Sequence, residues 1–172
     1  NGKIFPHQAF TTGFPTFDWT SKEFSKYFIT REEFCRIYGI PGNHKIILLV
    51  SSFTMADYNM AKWDKECFHW PESLTKEWVY EFKADSNKAR ELVVSSFSKL
   101  LKDNPDWHIV IRKHPLEDEP VYDKLFENSS QMTFCPDEQI YDLVSASDVI
   151  VHWNSTVSAI AFGLNKPTIL ID

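Results

Sequence analysis

A chain of 172 residues with 43% apolar side chains is long enough to bury one core, and folding should remove roughly 70% of the unfolded chain's surface from water. Its formal charge of −6 excludes a general nucleic-acid surface, because that affinity depends on clustered Lys and Arg releasing counterions. The three cysteines, Cys35, Cys67 and Cys135, are widely spaced with no C-x-x-C pair, and no apolar run approaches 18 residues. Disulfide framework, zinc knuckle and membrane helix are therefore excluded, and a reducing, cytoplasmic setting without a signal peptide is expected.

In chain order, "TTGFPTFDWTSKEF" (11–24) is turn-rich and aromatic, with Asp18 as a turn or N-cap residue. It leads into "TREEFCRIYG", where Thr30 and Glu33 form a capping box and Gly39 a helix stop. Residues 1–40 thus read as an interdomain linker with short helices, and 41–172 as one Rossmann-like domain. The first strand is "KIILLVSSF" (45–53), whose unbroken hydrophobicity is that of a parallel strand covered on both faces. Residues 54–77 read as a long loop carrying Tyr58, Trp63, Phe68 and Trp70, with Met55 and Met60 as loop contacts. Such a loop is either a lid or binding loop, or a cover for an exposed sheet edge.

A helix follows over "ADSNKARELVVSSFSKLLKDNP" (84–105), with Asp85 or Ser86 as cap, Pro105 as stop, and Val93, Phe97, Leu100 and Leu101 as its apolar stripe. Further strands are "WHIVIRKH" (107–114), "QMTFC" (131–135), "DVIVHW" (148–153) and "PTILID" (167–172). The intervening helices are "DEQIYDLVSAS" (137–147) and "STVSAIAFGLN" (155–165), the latter ended by Gly163 or Asn165 and apolar enough to lie against the sheet. The fold class is α/β, a doubly wound parallel sheet of about five strands with flanking helices, its order 3-2-1-4-5 expected by analogy.

The carboxyl ends of parallel strands share one edge, where ligands of open α/β sheets bind. Here that edge carries Ser51 and Ser52, then Arg112-Lys113-His114-Pro115, then Pro136-Asp137-Glu138, and finally His152-Trp153-Asn154-Ser155-Thr156. Asn154, Ser155 and Thr156 open a helix whose N–H groups and hydroxyls suit a phosphate, and His114 could donate to the same group. The plainer alternative is that Ser155 or Thr156 caps its own helix and His114 merely ends a strand. Glu117, Asp118 and Glu119 read as dipole partners of the next helix rather than catalytic carboxylates. His44, His69 and His108 lack spaced partners for a metal and read as surface or turn residues, whereas His152 either lines the pocket or is a satisfied buried histidine.

"RKHP", followed about forty residues later by "SASDVIVHWNSTVSAIAFGLNKPTIL", with "TTGFPTFD" near the start, resembles the carboxyl-terminal, donor-binding half of GT-B glycosyltransferases that build bacterial surface carbohydrate. These include capsule and lipopolysaccharide transferases, sialyltransferases with HP and S(S/T) motifs, and, more distantly, teichoic acid glycerophosphotransferases. The resemblance implies one half of a GT-B architecture that binds a nucleotide-sugar donor, with a CMP-sugar favoured, and implies neither metal nor cofactor. His114 would be the catalytic contact to the donor phosphate, Ser155 and Thr156 would hold that phosphate, and Ser51, Ser52, Arg112 and Asn154 would complete the binding edge. Pro167 would shape the turn beyond the nucleotide.

Many relatives place a glutamate four residues after the threonine, where this chain has Ile160, followed by Ala161. The ribose would then lack that partner. The glycan or lipid-linked acceptor and the general base are expected on a missing amino-terminal domain, so the isolated domain should bind nucleotide weakly and transfer little. The full enzyme is expected in the cytoplasm, peripheral to the inner membrane. One alternative is a nucleotide-sugar 2-epimerase, which shares the HP turn but favours Ser-Gly-Gly and a nearby carboxylate where this chain has Asn154-Ser155-Thr156 and Ile160. Another is a non-catalytic α/β interaction domain that binds through exposed aromatics.

Overall fold

Five parallel strands make a single sheet: β1 (Lys45–Val50), β2 (Trp107–Arg112), β3 (Met132–Phe134), β4 (Val149–His152) and β5 (Thr168–Leu170), in the order β3-β2-β1-β4-β5. The computed structural model describes residues 16–59, 75–117, 122, 129–135, 138–153 and 155–171. The α/β class and the strand order expected from the sequence are both found. Six helices accompany the strands among the described residues: α1 (Thr16–Trp19), α2 (Lys22–Ser25), α3 (Arg31–Tyr38), α4 (Lys76–Asp103), α5 (Ile140–Ala146) and α6 (Val157–Gly163).

The unbroken apolar run of β1 divides between two cores because successive side chains point to opposite faces. Ile46, Leu48 and Val50 pack with Phe34 of α3, Leu143 of α5 and Ile160 of α6. Ile47 and Leu49 pack on the other face with Val93, Val94, Phe97 and Leu101 of α4. The helix that follows β1 and the helix that follows β4 therefore lie on opposite faces. A crevice opens between these two neighbouring strands at their carboxyl ends.

The local signals explain most of the boundaries. Thr30 Oγ1 accepts from the Glu33 N–H at 3.2 Å, and Gly39 closes α3 in the left-handed region at φ 66°, as its lack of a Cβ permits. Past α6, Asn165 takes the left-handed position at φ 53°. Its N–H donates to Phe162 O at 3.0 Å, and the Lys166 N–H donates to Ala161 O at 2.8 Å. These two bonds satisfy the last carbonyls of the helix. A side chain at Gly163 would collide with Thr20, so α1 lies directly on α6, and Phe17 meets Phe162 edge to face at 6.4 Å. The expected linker segment is packed on the domain from Thr16 onward; residues 1–15, including most of "TTGFPTFD", lie outside the described residues.

The start of α4 corrects the sequence reading. Its N-cap is Thr75, whose hydroxyl accepts from the Trp78 N–H at 3.2 Å, while Asp85 and Ser86 lie well inside the helix. Residues 76–84 contain neither Gly nor Pro and are mostly competent helix formers, so nothing in them opposes extension beyond the apolar stripe. Trp63, Phe68, Trp70, Met60, Cys67 and His69 lie outside the described residues.

The first part of the segment after β1 is held tightly. Lys83 donates to Ala56 O at 3.0 Å and Tyr58 O at 2.7 Å, and Asn87 donates to Ala56 O at 3.2 Å. Arg90 grips Asp57 through two nitrogens at 2.6 and 2.9 Å. Burial, the largest influence on the Arg90 guanidinium, lowers its pKa, but the hydrogen bond and charge of Asp57, with Tyr122 and Glu117, raise it overall. The guanidinium therefore stays charged. Among the described residues no helix is long and apolar enough to cross a membrane.

Candidate functional site

The register places the strand ends level. Val50 lies opposite both Arg112 and His152, so the residues that follow each strand emerge side by side. His114 after β2 and Ser155-Thr156 after β4 line the same two hollows, together with Ser52 after β1. The larger, about 410 Å³, opens toward α4. The smaller, about 220 Å³, lies on the α5–α6 side and adds Arg112, Lys113 and Ile160. Imidazole and hydroxyls forty residues apart in the chain thus meet at one edge. Asn154 lies outside the described residues.

Which of these groups can serve a ligand depends on the partners they already have. Ser51 is buried and donates to Glu117 Oε2 at 2.5 Å. The Ser52 hydroxyl donates to the Trp153 carbonyl. Arg112 Nη1 donates to Glu138 O at 2.5 Å and Cys135 O at 3.4 Å, tying β2 to the approach to α5. These three side chains brace the edge. Ser155 Oγ accepts from the Val157 N–H at 3.3 Å, which leaves its hydroxyl proton to donate outward. The Thr156 hydroxyl makes no capping bond and is exposed.

His114 is fixed by its own turn. The Leu116 N–H donates to His114 Nδ1 at 3.2 Å, so the ring proton resides on Nε2, the remaining donor. Lys113 uses one of its three N–H donors on Glu117 O at 3.2 Å. His114, Ser155, Thr156 and Lys113 all line the smaller hollow and all carry donors, a set that suits an anionic oxygen.

The helix start itself differs from the expectation of open N–H groups. The Ser155 N–H donates to His152 Nδ1 at 3.4 Å, and the Ser158 N–H donates to Ser155 O at 3.4 Å. His152 is buried, which lowers its pKa; it acts from behind by orienting Ser155. Side-chain hydroxyls, more than backbone amides, are left with open donors here.

Glu117 is also corrected. It is only 4% exposed and does not serve a helix dipole in solvent. Its carboxyl group accepts from Ser51 and Tyr122 and from the His114 N–H at 3.3 Å, joining the end of β1 to the turn that carries His114. Burial first, then Glu117, pushes the Tyr122 hydroxyl upward, so it remains a proton donor in this knot. Asp118 and Glu119 lie outside the described residues.

His108 is likewise not a surface residue. It is buried in β2, its Nε2 lies 2.8 Å from Thr133 Oγ1, and burial, then the neighbouring His44 ring, brings its pKa down to about 4. Among the described residues no His, Cys, Asp or Glu cluster is able to hold a metal ion. Burial pushes the Cys135 thiol up to about 12, which removes it as a nucleophile.

Two residues of the larger hollow, Phe82 and Ser86, went unrecognised as site residues in the sequence. Their only signal was a polar residue four positions from an aromatic on a helix that begins earlier than its apolar stripe. Comparison with known protein families, with curated proteins and with solved structures returns no match to this chain.

Proposed function

We propose that this chain is the donor-nucleotide-binding domain of a GT-B glycosyltransferase that moves a sugar from a nucleotide-activated donor, a CMP-sugar in preference, in surface polysaccharide biosynthesis. The observation that carries this reading is the meeting of His114 with Ser155 and Thr156 at the crevice between β1 and β4. Hydroxyls and an Nε2–H donor on the lining of one crevice support this reading, because such donors stabilise a phosphate whose charge grows as it departs.

In the reaction, the bond between the anomeric carbon and the phosphate oxygen breaks, and its electron pair stays on that oxygen. His114 Nε2–H, Ser155 Oγ–H and Thr156 Oγ1–H donate to the phosphate oxygens. The acceptor hydroxyl supplies the new bond and loses its proton to a base on the acceptor-binding partner domain. Glu117 holds the His114 turn in register while this happens.

Calorimetry with CMP, CDP, UMP, UDP and GDP tests the reading. A cytidine nucleotide should bind, and His114→Ala and Ser155→Ala should each weaken it by roughly tenfold or more, the usual scale for a hydrogen bond to a charged group. Stable, folded protein that responds to none of the five nucleotides would overturn it.

A further inference from the structure

The inner face of α4 carries a feature that phosphate binding leaves unexplained. Ser86 is 2% exposed and lines the larger hollow, yet its hydroxyl has no hydrogen-bond partner among the described residues. Helical serines ordinarily turn to a carbonyl one turn back, as Ser95 does toward Leu92 O at 3.0 Å. The Ser86 hydroxyl is not among the buried unpartnered polar atoms of the described residues, so it is open to the hollow and can donate to and accept from a polar group that enters there.

One turn earlier on the same face lies Phe82, which also lines this hollow. Its ring stacks on Trp78 at 5.0 Å between centroids and 21° between planes. The two rings form an aromatic plate that remains 37% exposed at Phe82. Met55, next to the stretch clamped by Lys83, Asn87 and Arg90, adds an apolar side chain to the lining. A flat aromatic surface with one isolated hydroxyl beside it matches a planar heterocycle that has a hydrogen-bonding edge, because stacking tolerates any π-face and a hydroxyl can both donate and accept.

Size separates the two hollows. The α4 side, at about 410 Å³, falls within the range of sites that enclose a nucleoside-sized ligand, whereas the α5–α6 side, at about 220 Å³, falls below it. Resting on the phosphate reading above, we infer that the nucleobase of the bound nucleotide lies in the α4-side hollow, stacked on Phe82 and hydrogen-bonded to Ser86. These two residues then set base preference, while His114, Ser155 and Thr156 hold the phosphate between the two hollows.

The test compares CMP with ribose 5-phosphate by calorimetry, with thermal unfolding as a check on each variant. The wild-type chain should bind CMP roughly tenfold or more tightly than ribose 5-phosphate, the scale of one base stacked on one aromatic ring. Phe82→Ala should bring that ratio close to one and leave ribose 5-phosphate affinity unchanged. Ser86→Ala should lower the ratio about threefold, the scale of one neutral hydrogen bond.

A ratio that survives both substitutions overturns the base assignment and leaves the phosphate reading intact. Loss of preference for a CMP-linked sugar over CMP in Phe82→Ala, with the CMP ratio untouched, would assign the hollow to the sugar and overturn it equally. Failure of both CMP and ribose 5-phosphate to bind the wild-type chain overturns the phosphate reading and this inference together.

Discussion

The two ends of the sheet are both rich in polar side chains, but those side chains meet different things. At the amino end, Arg31 donates to Ala146 O at 2.6 Å, to His44 O at 2.7 Å and to Asp148 at 2.8 Å. Asp148 also accepts from the Ile46 N–H at 2.7 Å, and Lys166 donates to Ser145 O and Ser147 O at 2.7 and 2.8 Å. These donors close the fold upon itself. At the carboxyl end, His114, Ser155 and Thr156 retain donors that no acceptor among the described residues receives. Polarity alone does not mark a binding edge; unmatched polarity does.

Substitutions sharpen this contrast. The largest effect is expected at the one knot of the carboxyl end that resembles the amino end. Glu117→Ala removes the acceptor shared by Ser51, Tyr122 and the His114 N–H, leaving the two hydroxyls only each other, and should cost about 3 kcal/mol, measured as a shift in urea midpoint. A loss below about 1 kcal/mol would mean that the knot does not brace the edge.

Next comes acid. His108 titrates near 4 in the fold against an ordinary 6.5, so between these values the unfolded chain binds the extra proton. The stabilisation is fully present above pH 6.5 and is lost as pH falls toward 4. Between pH 7.5 and 4.5 this single group should remove about 2–3 kcal/mol of stability. The comparison is with His108→Asn, whose pH dependence over that interval should be shallower by that amount; equal slopes would contradict the account.

Asp148→Ala removes a partner from both Arg31 and the buried Ile46 N–H. Since the ion pair is partly exposed, a loss of about 2 kcal/mol is expected, with nucleotide affinity unchanged. Thr156→Val should do the reverse, leaving stability within about 0.5 kcal/mol and weakening nucleotide binding about fivefold. If both variants altered stability and affinity alike, the distinction between the two ends would fail.

The sequence disclosed the fold more fully than the site, for reasons visible in particular residues. The run Ile46 to Val50 has only one architecture that covers it on both sides, and the Gly39 and Asn165 positions end their helices by local backbone chemistry. The start of α4 was obscured because Trp78, Tyr80 and Phe82 are exposed aromatics, which blur the apolar stripe, while Asp85 and Ser86 imitate a cap. At the site, strand ends and their polar residues were readable from chain order. What could not be read is which hydroxyls are already engaged: Ser51 meets Glu117 and Ser52 meets Trp153, partners distant in sequence that only the tertiary fold brings near.

The attachment of Ala56, Asp57 and Tyr58 to α4 by Lys83, Asn87 and Arg90 has a thermodynamic corollary. The stretch directly after Thr54 and Met55, which line the larger hollow, is tied down before any guest arrives, so association there has little backbone freedom to remove. Amide exchange at these three positions should be slow in the free protein and change little on saturation, and free and occupied forms should superimpose along this stretch. Adaptation to guests of different shape must then come from the opposite side of the crevice.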